Sequence, residues 1–460
     1  MTISIRRRVV FGLLSTLVAG AATALPAGAE RPVAAVVSFT HAGTAPALGR
    51  YGVRVRASYA HVGAAVVSGT PGALARLARD AQVHAVSPDR SLRPTSATAD
   101  TGPGLFAAKV LGGQAGKPDA GTGVTVAVVD TGISDTAALS RESGRLLDGV
   151  NTASGTDFSD GYGHGTFLAT LVAGGTVPAS GSRALGIAPA ATVVNVKVAG
   201  TDGTTTLARV VAGLDWVAAH AGDIDVASFA FSGDRPGSGY GPDPLTDAAE
   251  RVRDAGVVMV VSAGNVPGQV GDPGFDPRVL TVGAADLTTN KITVAGFSGY
   301  ASAAGVAKPD VVASGVSMLG LLPADSTIAQ TYPGARRSDG LWRGSGTSQA
   351  TASAAGAVAL FLQSYPGATV DETKASIRGA AKSLGTRGSG AGLLDLANKR
   401  LPGTADPAAP GGGTGEGSFD ANSWSANSWS ANSWSANSWS ANSWSANSWS
   451  ANSWSASSWS

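Results

Sequence analysis

Val124-Thr125-Val126-Ala127-Val128-Val129-Asp130-Thr131-Gly132 is an apolar, β-branched run that stops on a carboxylate and a turn. A run with so little polar alternation belongs in a strand covered on both faces. Similar runs recur at residues 192–198, 226–231, 257–261 and 279–282. Between and after them lie stretches with helical spacing, at residues 165–173, 207–219, 245–254 and 348–363. Strands alternating with helical crossovers predict an α/β fold built on a doubly wound parallel sheet. Ligands of such sheets sit outside the carboxyl ends of the strands. Asp130 falls there, and so does Asn265, at the end of Val257 to Asn265.

Two more segments bear on the chemistry: Gly163-His164-Gly165-Thr166 and Gly344-Ser345-Gly346-Thr347-Ser348. Singly, each has a plain structural use. Asp-Thr-Gly suits a strand meeting a turn, Gly-His-Gly-Thr a glycine-rich loop, and Gly-Thr-Ser a capped helix start. Together, in the order Asp, His, Ser, they resemble the subtilisin-like serine proteases, whose triad order differs from the other two known for this constellation. The resemblance implies Ser348 as nucleophile, His164 as base and Asp130 as the carboxylate that fixes the imidazole tautomer. A serine hydroxyl attacks poorly until an imidazole accepts its proton. The other histidines are placed elsewhere: His41, His61 and His84 lie in a segment read below as removable, and His220 closes an amphipathic helix. By the same resemblance Asn265 and the Ser348 amide form the oxyanion hole, though Asn265 after glycine also suits an ordinary turn.

The chain has 460 residues, a formal net charge of +1 and no cysteine. Its length allows a large core. Near-neutral charge gives no argument for nucleic acid as a partner, and disulfides and thiol chemistry are excluded. Residues 1–29 read as a secretion signal: Arg6-Arg7-Arg8, an apolar stretch, then Ala27-Gly28-Ala29 as a cleavage site. An uncleaved anchor is the alternative. The expected localisation is secreted, extracellular or cell-wall associated.

Residues 30–100 read as a small α+β domain, with strands at 33–39, 53–55, 62–67 and 83–86 and a helix starting at Thr70-Pro71. Gly63-Ala64-Ala65-Val66-Val67 and Ala85-Val86-Ser87-Pro88-Asp89 resemble the family's propeptide, which implies an intramolecular inhibitor cut away on maturation. A permanent N-terminal domain is the alternative. Residues 90–104 read as a polar linker suited to cleavage, and 101–400 as the catalytic domain.

Within that domain, Lys308 to Gly315 and Gly392-Leu393-Leu394-Asp395 extend the resemblance. Residues Ser228, Phe229, Ala230, Phe231, Ser232 and Gly233 stand where the family pairs an extended peptide substrate by backbone hydrogen bonds. Ala263 and Gly264 are expected to line the adjoining pocket. Phe167, Gln349, Ala352 and Ser353 depart from the family's usual residues, which affects packing and specificity more than chemistry. No cofactor is required for the chemistry. Structural calcium is a family feature, and Asp157 and Asp160 are either its ligands or simply solvated.

Residues 401–420 are a Pro/Gly/Ala-rich linker, and 421–460 repeat Ala-Asn-Ser-Trp-Ser, carrying eight of the ten tryptophans. A five-residue period gives no aromatic stripe on a strand or on a helix, where successive tryptophans stand about 140° apart. The tail is therefore either a disordered polar segment or a multivalent aromatic adhesive for cell wall or another surface. The expected function is a secreted serine endopeptidase acting on proteins or peptides. Its rival is a catalytically silent, surface-binding protein of the same fold.

Overall fold

The computed structural model describes residues 31–42, 47–99, 104–107, 114–233, 242–303 and 306–396. The expected signal, the 401–420 linker and the pentad tail lie outside the described residues.

The N-terminal module is an antiparallel sheet of β1 (Val33–Phe39), β2 (Arg54–Tyr59), β3 (Ala64–Gly69) and β4 (Val83–Pro88), in the order β2-β3-β1-β4. Between β3 and β4 lies α1 (Pro71–Leu77), with Pro71 in its first turn and the Ala73 amide donating to Thr70 Oγ1 at 3.2 Å. Successive strand residues point to opposite faces. Val37, Phe39 and Val67 pack with Leu74 and Leu77, while Val36, Ala64 and Val66 join the core of the larger domain.

Sequence reading made residues 90–104 a linker, and the structure differs: they include two strands, β5 (Ser91–Pro94) and β6 (Ser96–Ala99). Both lie extended on the larger domain, where free backbone groups of that domain pair with them.

The larger domain runs β7 (Thr125–Asp130), β8 (Leu146–Asn151), α2 (His164–Ala173), β9 (Thr192–Lys197), β10 (Thr205–Thr206), α3 (Leu207–Ala219), β11 (Val226–Phe229), β12 (Phe231–Ser232), α4 (Pro244–Asp254), β13 (Val258–Ser262) and β14 (Leu280–Asp286). Then follow β15 (Val311–Ser314), β16 (Met318–Gly320), β17 (Trp342–Gly346), α5 (Thr347–Ser364) and α6 (Val370–Gly379). The central sheet has the order β8-β9-β7-β11-β13-β14-β15, with every neighbouring pair parallel. A two-residue strand, Thr293–Val294, pairs antiparallel with β14.

Alternate strand residues serve alternate faces. Val126, Val128, Val258 and Val260 pack with α2 and α5, whereas Ala127, Val129, Met259 and Val261 pack with α3 and α4. The chain winds from β7 to β8 and β9 on one side, then crosses to β11 on the other. The winding therefore reverses at β7, and its carboxyl end is the place where this class of sheet opens a crevice.

Candidate active site

Asp130 is the last residue of β7 and His164 the first of α2, both 1% exposed. Asp130 Oδ1 lies 2.8 Å from His164 Nδ1 and also accepts the Thr131 amide at 2.8 Å. A carboxylate on Nδ1 leaves Nε2 as the nitrogen free to accept a proton. Among the described residues, His164 Nε2 has no hydrogen-bond partner.

Asp160 holds this pair in place. Its two oxygens accept from Thr131 Oγ1 at 2.8 Å, the Gly163 amide at 2.7 Å, and the Thr166 amide and hydroxyl, each at 2.8 Å. Burial raises its carboxyl above the usual range, against the pull of those donors. Asp160 is therefore a buried clasp, neither solvated nor open to a cation, since four donors fill its acceptor sites. Asp157 is exposed, with Lys197 Nζ 3.3 Å from its carboxylate. The pair does not fit a calcium site, and no group of three or more candidate metal ligands occurs among the described residues.

Two glycines make the approach of α2 to β7 feasible. Gly163 has φ +102°, a left-handed conformation. A Cβ on Gly165 would stand 2.2 Å from the Gly132 carbonyl oxygen and 3.1 Å from Asp130 Cβ. The motif around His164 is thus a packing requirement as much as a signature.

Ser348 is the second residue of α5 and fully buried. Its Oγ lies 2.7 Å from Thr95 Oγ1 and 3.4 Å from the Ala230 carbonyl. The Ser348 amide donates at 3.4 Å to the Thr95 carbonyl oxygen, and Asn265 Nδ2 donates to that same oxygen. The two expected oxyanion donors therefore converge on one peptide carbonyl.

The expected substrate strand divides. Ser228 and Phe229 belong to β11 inside the central sheet, buried and paired with β7 and β13. They do not pair with residues 91–95, because their backbone groups already serve the parallel ladder. Beyond them, the Ala230 carbonyl accepts the Thr95 amide at 2.9 Å and the Thr95 hydroxyl at 3.0 Å. In β12, Phe231 and Ser232 pair antiparallel with Pro94 and Arg93. On the far side of β5, Thr205 and Thr206 pair antiparallel with Leu92 and Ser91. A Cβ on Gly233 would come within 3.2 Å of the Leu92 side chain.

Ala263 and Gly264 turn their backbone groups toward Val282 and Gly299. The neighbour that meets Thr95 is Ser262, whose Oγ is 2.8 Å from Thr95 Oγ1. Sequence reasoning missed Thr95, Ser262 and Thr347. Only the adjacency of Ser262 to Ala263, and of Thr347 to Ser348, hinted at the last two.

Charge fixes the module beside the crevice. Arg90 donates to Asp243 Oδ2 and Oδ1 at 2.8 and 3.0 Å and to Asp272 Oδ2 at 2.7 Å. His84 Nδ1 lies 2.8 Å from Asp247, and the Ala208 amide at the start of α3 donates to Asp89 at 2.8 Å. An acidic acceptor near a helix N-terminus is a favourable placement. Phe167, one of the unusual residues, is buried against Gly320 and Gly344, where a Cβ would stand 3.0 and 3.1 Å from its ring.

Residues 121–399 match the subtilase family. Over 268 residues the chain is 37% identical to serine protease AprX of Bacillus subtilis, covering 55% of this chain and 60% of that protein. Over 273 residues it is 30% identical to subtilisin DY of Bacillus licheniformis, covering 58% of this chain and 86% of the relative. Fervidolysin of Fervidobacterium pennivorans, described as a keratinolytic enzyme related to subtilisin, shares the fold. Its TM-score is 0.61 at 22% identity, over 83% of this chain and 63% of that one. The chain thus spans about three fifths of the length of AprX.

Proposed function

Because the chain belongs to the subtilase family, we propose that it is a serine endopeptidase of protein and peptide substrates, made as a self-inhibited proenzyme and secreted. The observation that carries this reading is the convergence of Asn265 Nδ2 and the Ser348 amide on one peptide carbonyl, in a fold that also holds the buried Asp130–His164 pair. In the proposed reaction His164 Nε2 takes the Ser348 proton as Oγ attacks the substrate carbonyl carbon. Asp130 holds the imidazole by Nδ1 and stabilises its cation. Asn265 and the Ser348 amide receive the negative oxygen, with α5 presenting the positive end of its dipole. His164 then protonates the leaving amine, and water, activated by the same nitrogen, releases the acyl group. Every step uses these residues and water.

The module is the proposed inhibitor, since β5 fills the groove between β10 and β12 that an extended substrate would use. The apolar residues after Arg6-Arg7-Arg8 support export. No described helix is long and apolar enough to cross a membrane. The pentad tail is proposed to attach the protein to cell wall or another surface through its tryptophans.

The test is hydrolysis of casein by the purified secreted protein, together with labelling by a fluorophosphonate probe, which an activated serine attacks at phosphorus with loss of fluoride to give a phosphonylated serine. Casein cleavage and labelling, both lost in Ser348→Ala, are expected. A folded, exported wild type that neither labels nor cuts would leave the surface-binding reading in its place.

A further inference from the structure

The extended segment brings two arginines to the larger domain, and only one is taken in. Arg93 is exposed on β5, whereas the Arg90 side chain is 11% exposed. Main-chain pairing reaches Arg90 too: its carbonyl oxygen accepts the Leu207 amide at 2.9 Å, next to the pairing of Ser91 with Thr206. Arg90 is thus held in the same register as β5. Counting back from Thr95, whose carbonyl receives the Asn265 and Ser348 donors, it is the sixth residue.

Its guanidinium meets two carboxylates as a fork. Nη1 and Nη2 donate to the two oxygens of Asp243 at 2.8 and 3.0 Å, and Nη2 also donates to Asp272 Oδ2 at 2.7 Å. Inside the module, Nη1 donates to Ser87 Oγ at 2.9 Å. The contacts that place the carboxylates belong to the larger domain. Asp243 caps α4, its Oδ1 accepting the Leu245 amide at 2.9 Å. Thr246, in the same first turn, donates its hydroxyl to Asp272 Oδ1 at 2.7 Å. The Asp272 backbone bridges antiparallel to Gly233, just past β12. None of these contacts needs the module, so the pair is preorganised for another occupant. With Arg90 in place the two carboxylate side chains are 7% and 0% exposed, so the occupant is read in a nearly dry site.

We infer that Asp243 and Asp272 form a guanidinium subsite for substrates, one that selects arginine as the sixth residue on the amino side of the bond cut. This inference rests on the proposed endopeptidase function and on the module lying where substrate lies. An uncharged side chain there leaves buried acceptors unmatched, and a site built for hydrogen bonds rejects such an analogue strongly. Glutamate is repelled by both carboxylates. Lysine supplies the charge without the fork that fits both Asp243 oxygens. The subsite lies far along the substrate from the reacting carbonyl and binds it alike before and during reaction. Selection is therefore read in KM more than in kcat.

The experiment measures peptide cleavage by the purified secreted protein. The parent peptide is a casein fragment that the protein itself cuts, lengthened to cover six residues before the cut bond. Its sixth residue is arginine, lysine, norleucine or glutamate, and the bond cut is checked by mass. For arginine, kcat/KM should exceed that for norleucine about 10- to 100-fold, the size of a hydrogen bond to a charged group. Lysine should fall between them and glutamate should be lowest. The arginine-to-norleucine ratio should drop in Asp243→Asn and in Asp272→Asn. A wild-type ratio below about 3-fold, no more than an exposed ion pair gives, overturns the inference whether or not either variant folds. So does a ratio that neither substitution lowers, or a cut that moves to another bond in the arginine peptide. In these cases peptide cleavage that is absent in Ser348→Ala leaves the endopeptidase reading standing. A wild type that cuts no casein removes both.

Discussion

Asn265 Oδ1 accepts both the amide and the hydroxyl of Thr347, at 3.0 and 2.9 Å. Because a side-chain amide has one oxygen and one nitrogen, this double anchor turns Nδ2 toward the Thr95 carbonyl. The residue before the proposed nucleophile thus orients the proposed oxyanion donor. Asn265→Ala should lower kcat on a peptide substrate by about 10²–10³ with little change in KM, the range typical of an oxyanion donor. Thr347→Val should give a smaller loss in the same direction, and Thr347→Ser should restore it. Equal loss in both Thr347 variants would assign Thr347 a packing role only.

Asp130 has a second oxygen, Oδ2, that is buried without a partner among the described residues, so its charge is directed at His164 and the Thr131 amide. Asp130→Asn keeps the shape and reverses the tautomer preference at Nδ1. Its kcat should fall by about 10⁴. Circular dichroism of the purified variant should be unchanged, which separates a catalytic loss from misfolding.

Arg90 is the main ionic contact of the module, and Asp272, its partner, has a fully buried side chain. Arg90→Met would leave Asp243 and Asp272 as neighbouring buried carboxylates without their cation. Breaking such a pair costs about 3–5 kcal/mol. In a Ser348→Ala background, which keeps the chain whole, denaturant unfolding should show a loss of that order. In the active protein, the lag before casein hydrolysis should shorten.

Lys374 is buried near Asp310, with its ammonium donating to the Val279 carbonyl at 2.7 Å and also to that of Pro277. Burial, with Lys308 and Arg378 nearby and against the attraction of Asp310, lowers its pKa from 10.5 to about 7. Between those two values the unfolded chain binds the proton that the folded chain has released. The stability of the folded state should therefore rise with pH through this window. Below it both states are protonated and the burial penalty is fully present. Unfolding of Ser348→Ala at several pH values between 7 and 10 should show this rise, and Lys374→Met should flatten it.

The parallel sheet was legible because β7, β11 and β13 are short apolar runs whose residues all meet a helix layer. β8 was not picked out: Leu146 is buried, but Leu147 and Asp148 are exposed at the sheet edge, so its pattern is mixed. The loop before His164 was legible as a motif and illegible as a mechanism of support. Two aspartates on a glycine-rich loop look solvated in sequence. Only the folded loop shows four donors closing on Asp160.

What the sequence by itself determined is local: the strand that ends in Asp130, the glycines flanking His164, the helix that starts at Thr347-Ser348, and Asn265 after its strand. Each follows from propensity, periodicity and the steric freedom of glycine over a few neighbouring residues. The tertiary structure alone decided which residues meet across long separations. It brought Thr95 to Ser348, Arg90 to Asp243 and Asp272, and turned an apparent linker into a bound strand. Residues 91–94 carry little intrinsic strand preference. They become a strand because β10 and β12 present unpaired backbone donors and acceptors, and because Leu92 gains burial only in that register.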